Sequence, residues 1–300
     1  YPLPVVAVVH GPAIAGGNAV LIKPATDTPL SALKLVEVLI EAGLPKEAIA
    51  CITGPGGSIG RAICEDDRIR KISFTGSAEV GKVICGAAGL KRVTMELGSN
   101  SPLIVLDDAD LEKVATATVA TGFANAGQVC ISCQRVIATP GIHDNLLDEL
   151  QPRVAAHTAG DQLAEDTKVG PLVRQGDAER VAEWIGEAAS SGARLLCGGE
   201  RSGSVVQPAL LADVQPSMRL SCDELFGPAV GVTRAANIDE AIKLANDTPY
   251  GLSAGIFTEN LDAALRFARE VESGNLHINW GPMWRADLMP YGGLKDRGLG

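Results

Sequence analysis

Three hundred residues, 46% of them apolar and 21% charged, suffice for a large core in one large domain or two ordinary ones. A formal net charge of −10 excludes nucleic acid or an anionic membrane as the main partner, because phosphate binding needs a clustered basic surface. The seven cysteines (51, 64, 85, 130, 133, 197 and 222) are odd in number and irregularly spaced, which excludes a disulfide framework and points to a reducing, cytoplasmic compartment. No apolar run reaches membrane-span length, and the start shows no signal-peptide pattern.

Along the first third, short β-rich runs alternate with amphipathic stretches. The pattern predicts strands over 19–23, 49–53, 70–75 and 92–97, with helices over 30–42, 59–65 and 78–88 between them. Such alternation implies βαβ units, a parallel sheet and a ligand crevice at the carboxyl ends of its strands. The expected fold class is α/β, a Rossmann-like cofactor domain over 1–98 followed by an α/β catalytic domain over 99–300. In the second part, strands are predicted over 103–106, 134–138, 205–211, 229–233 and 253–257. Helices are predicted over 111–124, 144–155, 178–190, 238–246 and 261–270.

The segment Asn125-Ala-Gly-Gln-Val-Cys130-Ile-Ser-Cys133 places a cysteine in a glycine-containing turn straight after a predicted helix. That setting suits an exposed thiol, whose thiolate is a nucleophile. A redox pair or half a zinc site are the alternatives for this C-x-x-C. Both patterns are incomplete, since the four histidines are scattered and no second C-x-x-C exists. Cys133 reads as a packed thiol. Glu96 stands thirty-four positions before Cys130, at the end of an apolar strand. Partial burial there would favour a general base; a carboxylate bridging at a strand end is the other reading. Gly76-Ser-Ala-Glu-Val-Gly81-Lys82-Val83 lacks the hydroxyl that a P-loop needs at position 83, so a nucleoside triphosphatase is rejected. Gly76, Ser77 and Gly81 still suit phosphate oxygens at a helix N-terminus. Gly54 to Gly60 alone reads as a turn. Lys23, leaving the first strand, is either a ribose or phosphate contact or a solvated lysine. Arg285 either pairs with an anionic substrate group or bridges to Asp287. No metal site is expected.

Six ordered segments resemble the aldehyde dehydrogenase superfamily over essentially the whole chain: Gly11 to Pro24, Phe74 to Gly81, Met95 to Gly98, Gly127 to Cys130, Glu224-Leu-Phe-Gly-Pro228 and Pro290-Tyr-Gly-Gly-Leu-Lys295. The resemblance implies oxidation of a small-molecule aldehyde to a carboxylic acid with NAD or NADP, with Cys130 as nucleophile and Glu96 as base. It implies that Lys23 and Glu224 hold ribose hydroxyls and that Ser77 holds the pyrophosphate. Phe226 would line the nicotinamide site, with Gly76, Gly81 and Leu97 alongside. Trp280 and Arg285 would face the substrate. Thr26 stands where many NAD-preferring members carry Glu, which leaves NADP acceptable. A CoA-acylating member or a non-catalytic one are the alternatives, and the intact Glu96 and Cys130 argue against both. Tyr1-Pro2 resembles the pair that follows the family's oxyanion asparagine. The reading therefore expects a piece of a longer protein, inactive alone and a homodimer or homotetramer when whole.

Overall fold

The computed structural model describes residues 10–286 and 288–298. The chain divides into two units: the residues up to Thr75 with Glu79–Met95, and Gly76–Ala78 with Glu96 onward. In the first unit, β1 (Val20–Ile22) and β2 (Ile49–Cys51) pair in parallel, Val20 opposite Ile49, and the helix Leu30–Glu41 connects them. Ile22, Ala32 and Ile49 close over that pair as a small core. After the helix Gly56–Glu65 come β3 (Lys71–Thr75) and β4 (Arg92–Glu96), which form a second pair connected by the helix Ala78–Ala88. Cys64, Ile72 and Ala88 pack there.

The second unit is built on one sheet of seven strands. Its members are β5 (Pro102–Val105), β6 (Arg135–Ala138), β7 (Arg194–Cys197), β10 (Ala209–Ala212), β11 (Ala229–Arg234), β12 (Ser253–Phe257) and β13 (Asn275–Ile278). Their order is β13-β12-β5-β6-β11-β10-β7. All neighbours run parallel except β7 against β10. Residues alternate between the faces, as the two-residue period of a strand requires. Leu103, Val105, Val136 and Ala138 enter the larger core, with Leu146 and Val181 from the helices Pro140–Ala155 and Gln175–Ser190. Ile104, Ile137 and Ile256 enter the opposite core, with Ala241 and Phe267 from the helices Ile238–Asn246 and Leu261–Glu270. Both faces are covered, which is why these strands are apolar at nearly every position.

The structure corrects three expectations. The strand predicted over 205–211 is two strands. Val205–Val206 (β9) pairs antiparallel with Arg201–Ser202 (β8), while Ala209–Ala212 joins the main sheet. Pro208, without an N–H, marks the break. The helix predicted over 111–124 stops at Gly122, because Asn125 and Ala126 turn left-handed. The helix predicted from 144 starts instead at Pro140, where a proline's missing N–H costs nothing. Strands β7 and β13 were not foreseen; both are four residues long and carry polar or charged residues.

Candidate active site

The candidate catalytic segments lie just ahead of the amino ends of the central strands. Residues 96–101 lead into β5, 127–134 into β6 and 224–228 into β11. β5 and β6 start level, Pro102 opposite Arg135, and β11 starts two residues earlier, with Gly231 opposite Arg135.

The cysteine turn is fixed at both ends. The helix Leu111–Gly122 is followed by Asn125, Ala126 and Gly127 at φ of 51°, 56° and 70°, a left-handed run that only glycine adopts cheaply. The chain then folds back on the helix end. Cys133 N–H donates to Thr121 O at 3.2 Å, and Ser132 Oγ donates to Thr121 O and Gly122 O. These contacts satisfy carbonyls that a helix C-terminus leaves open. Gln128 Oε1 accepts from Val173 N–H at 3.0 Å. A Cβ on Gly127 would collide with the Gly227 carbonyl, so the cysteine turn and the Glu224–Pro228 loop lie in contact.

That second loop is clamped by Gln134. Its Nε2 donates to Leu220 O and Asp223 O, and its Oε1 accepts from Leu225 N–H. Glu224 Oε1 accepts from Ser99 N–H at 2.9 Å, and a Cβ on Gly98 would stand 2.8 Å from Glu224 Oε2. Phe226 sits at φ 51°, a strained value for an aromatic residue. Asn100 ties the floor together, donating to Ser221 O and accepting from Thr248 Oγ1. Buried Arg135 donates to Asn100 O, Leu244 O and Ala245 O. Burial lowers its pKa to about 10.

Cys130 is half-buried, and its Sγ lies 3.4 Å from Tyr291 Oη. The Cys130 N–H donates to no acceptor among the described residues. Cys133 is fully buried, and burial pushes its thiol up to about 12, so it is a packed, inert thiol as expected. Burial, and then the charge of Cys130, raises the Tyr291 phenol; Glu96 and Arg297 also act on it electrostatically. Arg285 lies over the Tyr291 ring, 4.8 Å from its centroid. It is solvent-exposed; its other expected partner, Asp287, lies outside the described residues.

Glu96 is the last residue of β4 and pairs through Oε2 with Arg297, whose guanidinium is only 2% exposed. Leu97 N–H donates to Arg297 O at 2.8 Å, so both ends of Arg297 hold this segment. Nε and Nη1 of Arg297 are buried and have no partner among the described residues. The carboxylate thus bridges to a cation rather than facing an apolar wall. Its Oε1 makes no hydrogen bond among the described residues. Tyr291 and Arg297 are the residues that sequence reasoning missed. Tyr291 lay inside a quoted motif, and Arg297 stood two positions beyond it.

Of the residues expected on the cofactor side, Lys23 and Thr26 lie beside the Gly54–Gly57 turn within the first unit. Lys23 Nζ donates to Pro24 O at 2.6 Å, and Thr26 Oγ1 donates to Gly54 O at 3.4 Å. Gly54–Gly57, read as a bare turn, opens the helix Gly56–Glu65, and a Cβ on Gly56 would stand 3.9 Å from Lys23 Cε. Among the described residues no side chain caps that helix, so its first-turn N–H groups can donate to an anion. Gly76 N–H donates to Glu96 O at 3.0 Å, and Ser77 directly precedes the helix Ala78–Ala88. Gly81 lies inside that helix and is buried. Trp280, in the segment after β13, is exposed.

The chain matches the family described as "Aldehyde dehydrogenase family" over residues 1–300. It belongs to the aldehyde dehydrogenase family. Among relatives, it is 44% identical to a 3-sulfolactaldehyde dehydrogenase of Priestia aryabhattai, with all of this chain and 63% of that protein aligned. It superposes on aldehyde dehydrogenase 21 of Physcomitrella patens, solved with succinate, at TM-score 0.95 and 36% identity, covering 100% of this chain and 62% of that one. It superposes on the glyceraldehyde-3-phosphate dehydrogenase of Methanocaldococcus jannaschii, solved with NADP, at TM-score 0.93 and 36% identity, covering 96% of this chain and 64% of that one. This aldehyde dehydrogenase chain spans about 63% of the curated relatives it matches. The fold of those solved enzymes is the α/β architecture described above.

Proposed function

We propose that the whole protein oxidises an aldehyde to a carboxylic acid with NAD(P)+, Cys130 being the nucleophile and Glu96 the general base. One observation carries the reading. The strained turn of Asn125, Ala126 and Gly127 ends at a half-buried thiol with an unengaged N–H, beside a segment that presents a carboxylate.

The chemistry follows from those groups. The Cys130 thiolate adds to the aldehyde carbon, and the Cys130 N–H donates to the oxygen that becomes negative. NAD(P)+ supplies the hydride acceptor for that adduct. The result on Cys130 is a thioester. Glu96 then takes a proton from water through Oε1 while Arg297 holds Oε2. Water's oxygen bonds to the acyl carbon, the C–S bond breaks, and the acid leaves with Cys130 as thiolate.

The residues present fit the dinucleotide. Lys23 supplies a cation, Thr26 a neutral hydroxyl, and the uncapped helix at Gly56 unpaired donors. Gly76, Ser77, Gly81, Leu97, Glu224 and Phe226 complete the proposed cofactor contacts. Trp280 and Arg285 are proposed on the substrate side. The cofactor-domain role is proposed for residues 1–98 and the catalytic-domain role for residues 99–300, close to the division between the two units at Met95 and Glu96. Seven free thiols support a reducing cytoplasm. Among the described residues no helix is long and apolar enough to cross a membrane. A homodimer or homotetramer is the assembly proposed from the resemblance.

The test is Cys130→Ala in the whole protein. Aldehyde turnover is expected to fall to background while NAD(P)H binding, followed by nucleotide fluorescence, is retained. Turnover close to wild type removes the assignment.

A further inference from the structure

Tyr291 does something that the aldehyde chemistry above does not use. Its Oη is the only side-chain atom among the described residues that hydrogen-bonds the Cys130 sulfur, at 3.4 Å. Among the described residues no histidine or lysine hydrogen-bonds that sulfur. A catalytic thiol normally owes its thiolate to such a neighbour.

The phenol is held in place from several sides. Leu294 N–H donates to Gly251 O at 2.8 Å, and Asn275 Nδ2 donates to Gly292 O at 3.2 Å, so the segment around Tyr291 is anchored beside the amino ends of β12 and β13. Arg285 sits over the ring at 4.8 Å from the centroid, a cation–π contact that Phe would keep. The remaining charged groups that act on the phenol are Glu96 and Arg297, and these two engage each other.

We propose that Tyr291 is a further catalytic residue: its O–H donates to the Cys130 thiolate and keeps that sulfur ionised and aimed until it attacks. The proposal rests on Cys130 being the nucleophile. The thiol proton itself leaves to water. Either atom could donate when Cys130 is a thiol, but only the phenol can donate to a thiolate. Burial and the sulfur's charge both oppose phenolate formation, so the donor proton stays on Tyr291 at working pH. A hydrogen bond to a charged acceptor is stronger than one between neutral groups, so the contact favours the thiolate over the thiol.

The experiment measures alkylation of Cys130 by iodoacetamide in the whole protein, without substrate, in wild type and Tyr291→Phe. The adduct is located by peptide fragmentation, from about pH 6 to about pH 10. Phe keeps the ring, and equal melting temperatures show that the fold is kept. At about pH 7 the variant is expected to react at least fivefold more slowly, and near pH 10 the two rates should converge, because both sulfurs are then ionised. Equal rates at about pH 7, or a uniform slowing at every pH, overturn the proposal. Neither result touches the nucleophile assignment, which rests on turnover by Cys130→Ala.

Discussion

Gly127 and the Glu96–Arg297 pair carry the structural consequences at the residue scale. Gly127→Ala should place a methyl on the Gly227 carbonyl at a left-handed φ that Ala adopts at a cost of about 1–2 kcal/mol. The clash has to be relieved by moving one of two loops, and one of them carries Cys130. Steady-state kinetics should show kcat/KM reduced at least about tenfold, since small displacements at a reacting centre are expensive. A variant with normal kinetics would mean that the turn does not fix the thiol. Glu96→Gln has a stability consequence besides its kinetic one. It leaves a guanidinium that is 2% exposed without its counter-charge. The partly exposed carboxylate moderates the loss to about 2–3 kcal/mol, below the 3–5 of a fully buried pair. Denaturant unfolding should show that loss, and Arg297→Gln on the same background should recover most of it. Additive losses in the double variant would show that the pair does not couple.

At the scale of elements, the central strands of the second unit were legible because they are buried on both faces and read as nearly unbroken apolar runs. The same logic explains the omissions. Strand β7 is an edge with Arg194 and Leu195 exposed, and β13, the other edge, alternates Asn, Leu, His and Ile. Neither displays an apolar run longer than three residues. Cys130 and Glu96 were legible from local context, a turn after a helix and an acid at a strand end. Tyr291 and Arg297 were not, because their partners lie 161 and 201 positions away in sequence. Gly54–Gly57 was legible as a turn but not as a neighbour of Lys23 and Thr26, which only the β1–β2 pairing brings together. That neighbourhood makes Thr26 the proposed selector between the two dinucleotides. Thr26→Glu would set a full charge against a 2′-phosphate, a repulsion of about 4 kcal/mol at an effective dielectric of about 20 before screening. The whole protein is expected to accept NADP. The variant should lose at least about tenfold in kcat/KM for NADP and almost nothing for NAD. A wild type that already rejects NADP as strongly as the variant would show that selection lies elsewhere.

For the whole molecule, the seven-stranded sheet serves as a platform whose central strands start near one another and bring distant segments together. Gln134 and Arg135 lock that platform through six hydrogen bonds to Asn100, Leu220, Asp223, Leu225, Leu244 and Ala245, none of them a proposed reacting group. The proposed consequence of that arrangement is that Cys130, of seven free cysteines, is the sulfur that reacts with the aldehyde. Cys133, three positions away, is sealed in the core with its thiol held up at about 12, whereas Cys130 faces the group that tests it. Trapping the acyl intermediate separates the two directly. The Glu96→Gln protein, mixed with NAD(P)+ and an aldehyde and quenched in acid, should accumulate one acyl group, because release of the thioester is slowed. Fragmentation of the peptide that contains both cysteines should place that acyl mass on Cys130 and leave Cys133 free. Acylation of Cys133, or continued turnover with no acyl mass on Cys130, would contradict the assignment of the nucleophile and the mechanism built on it.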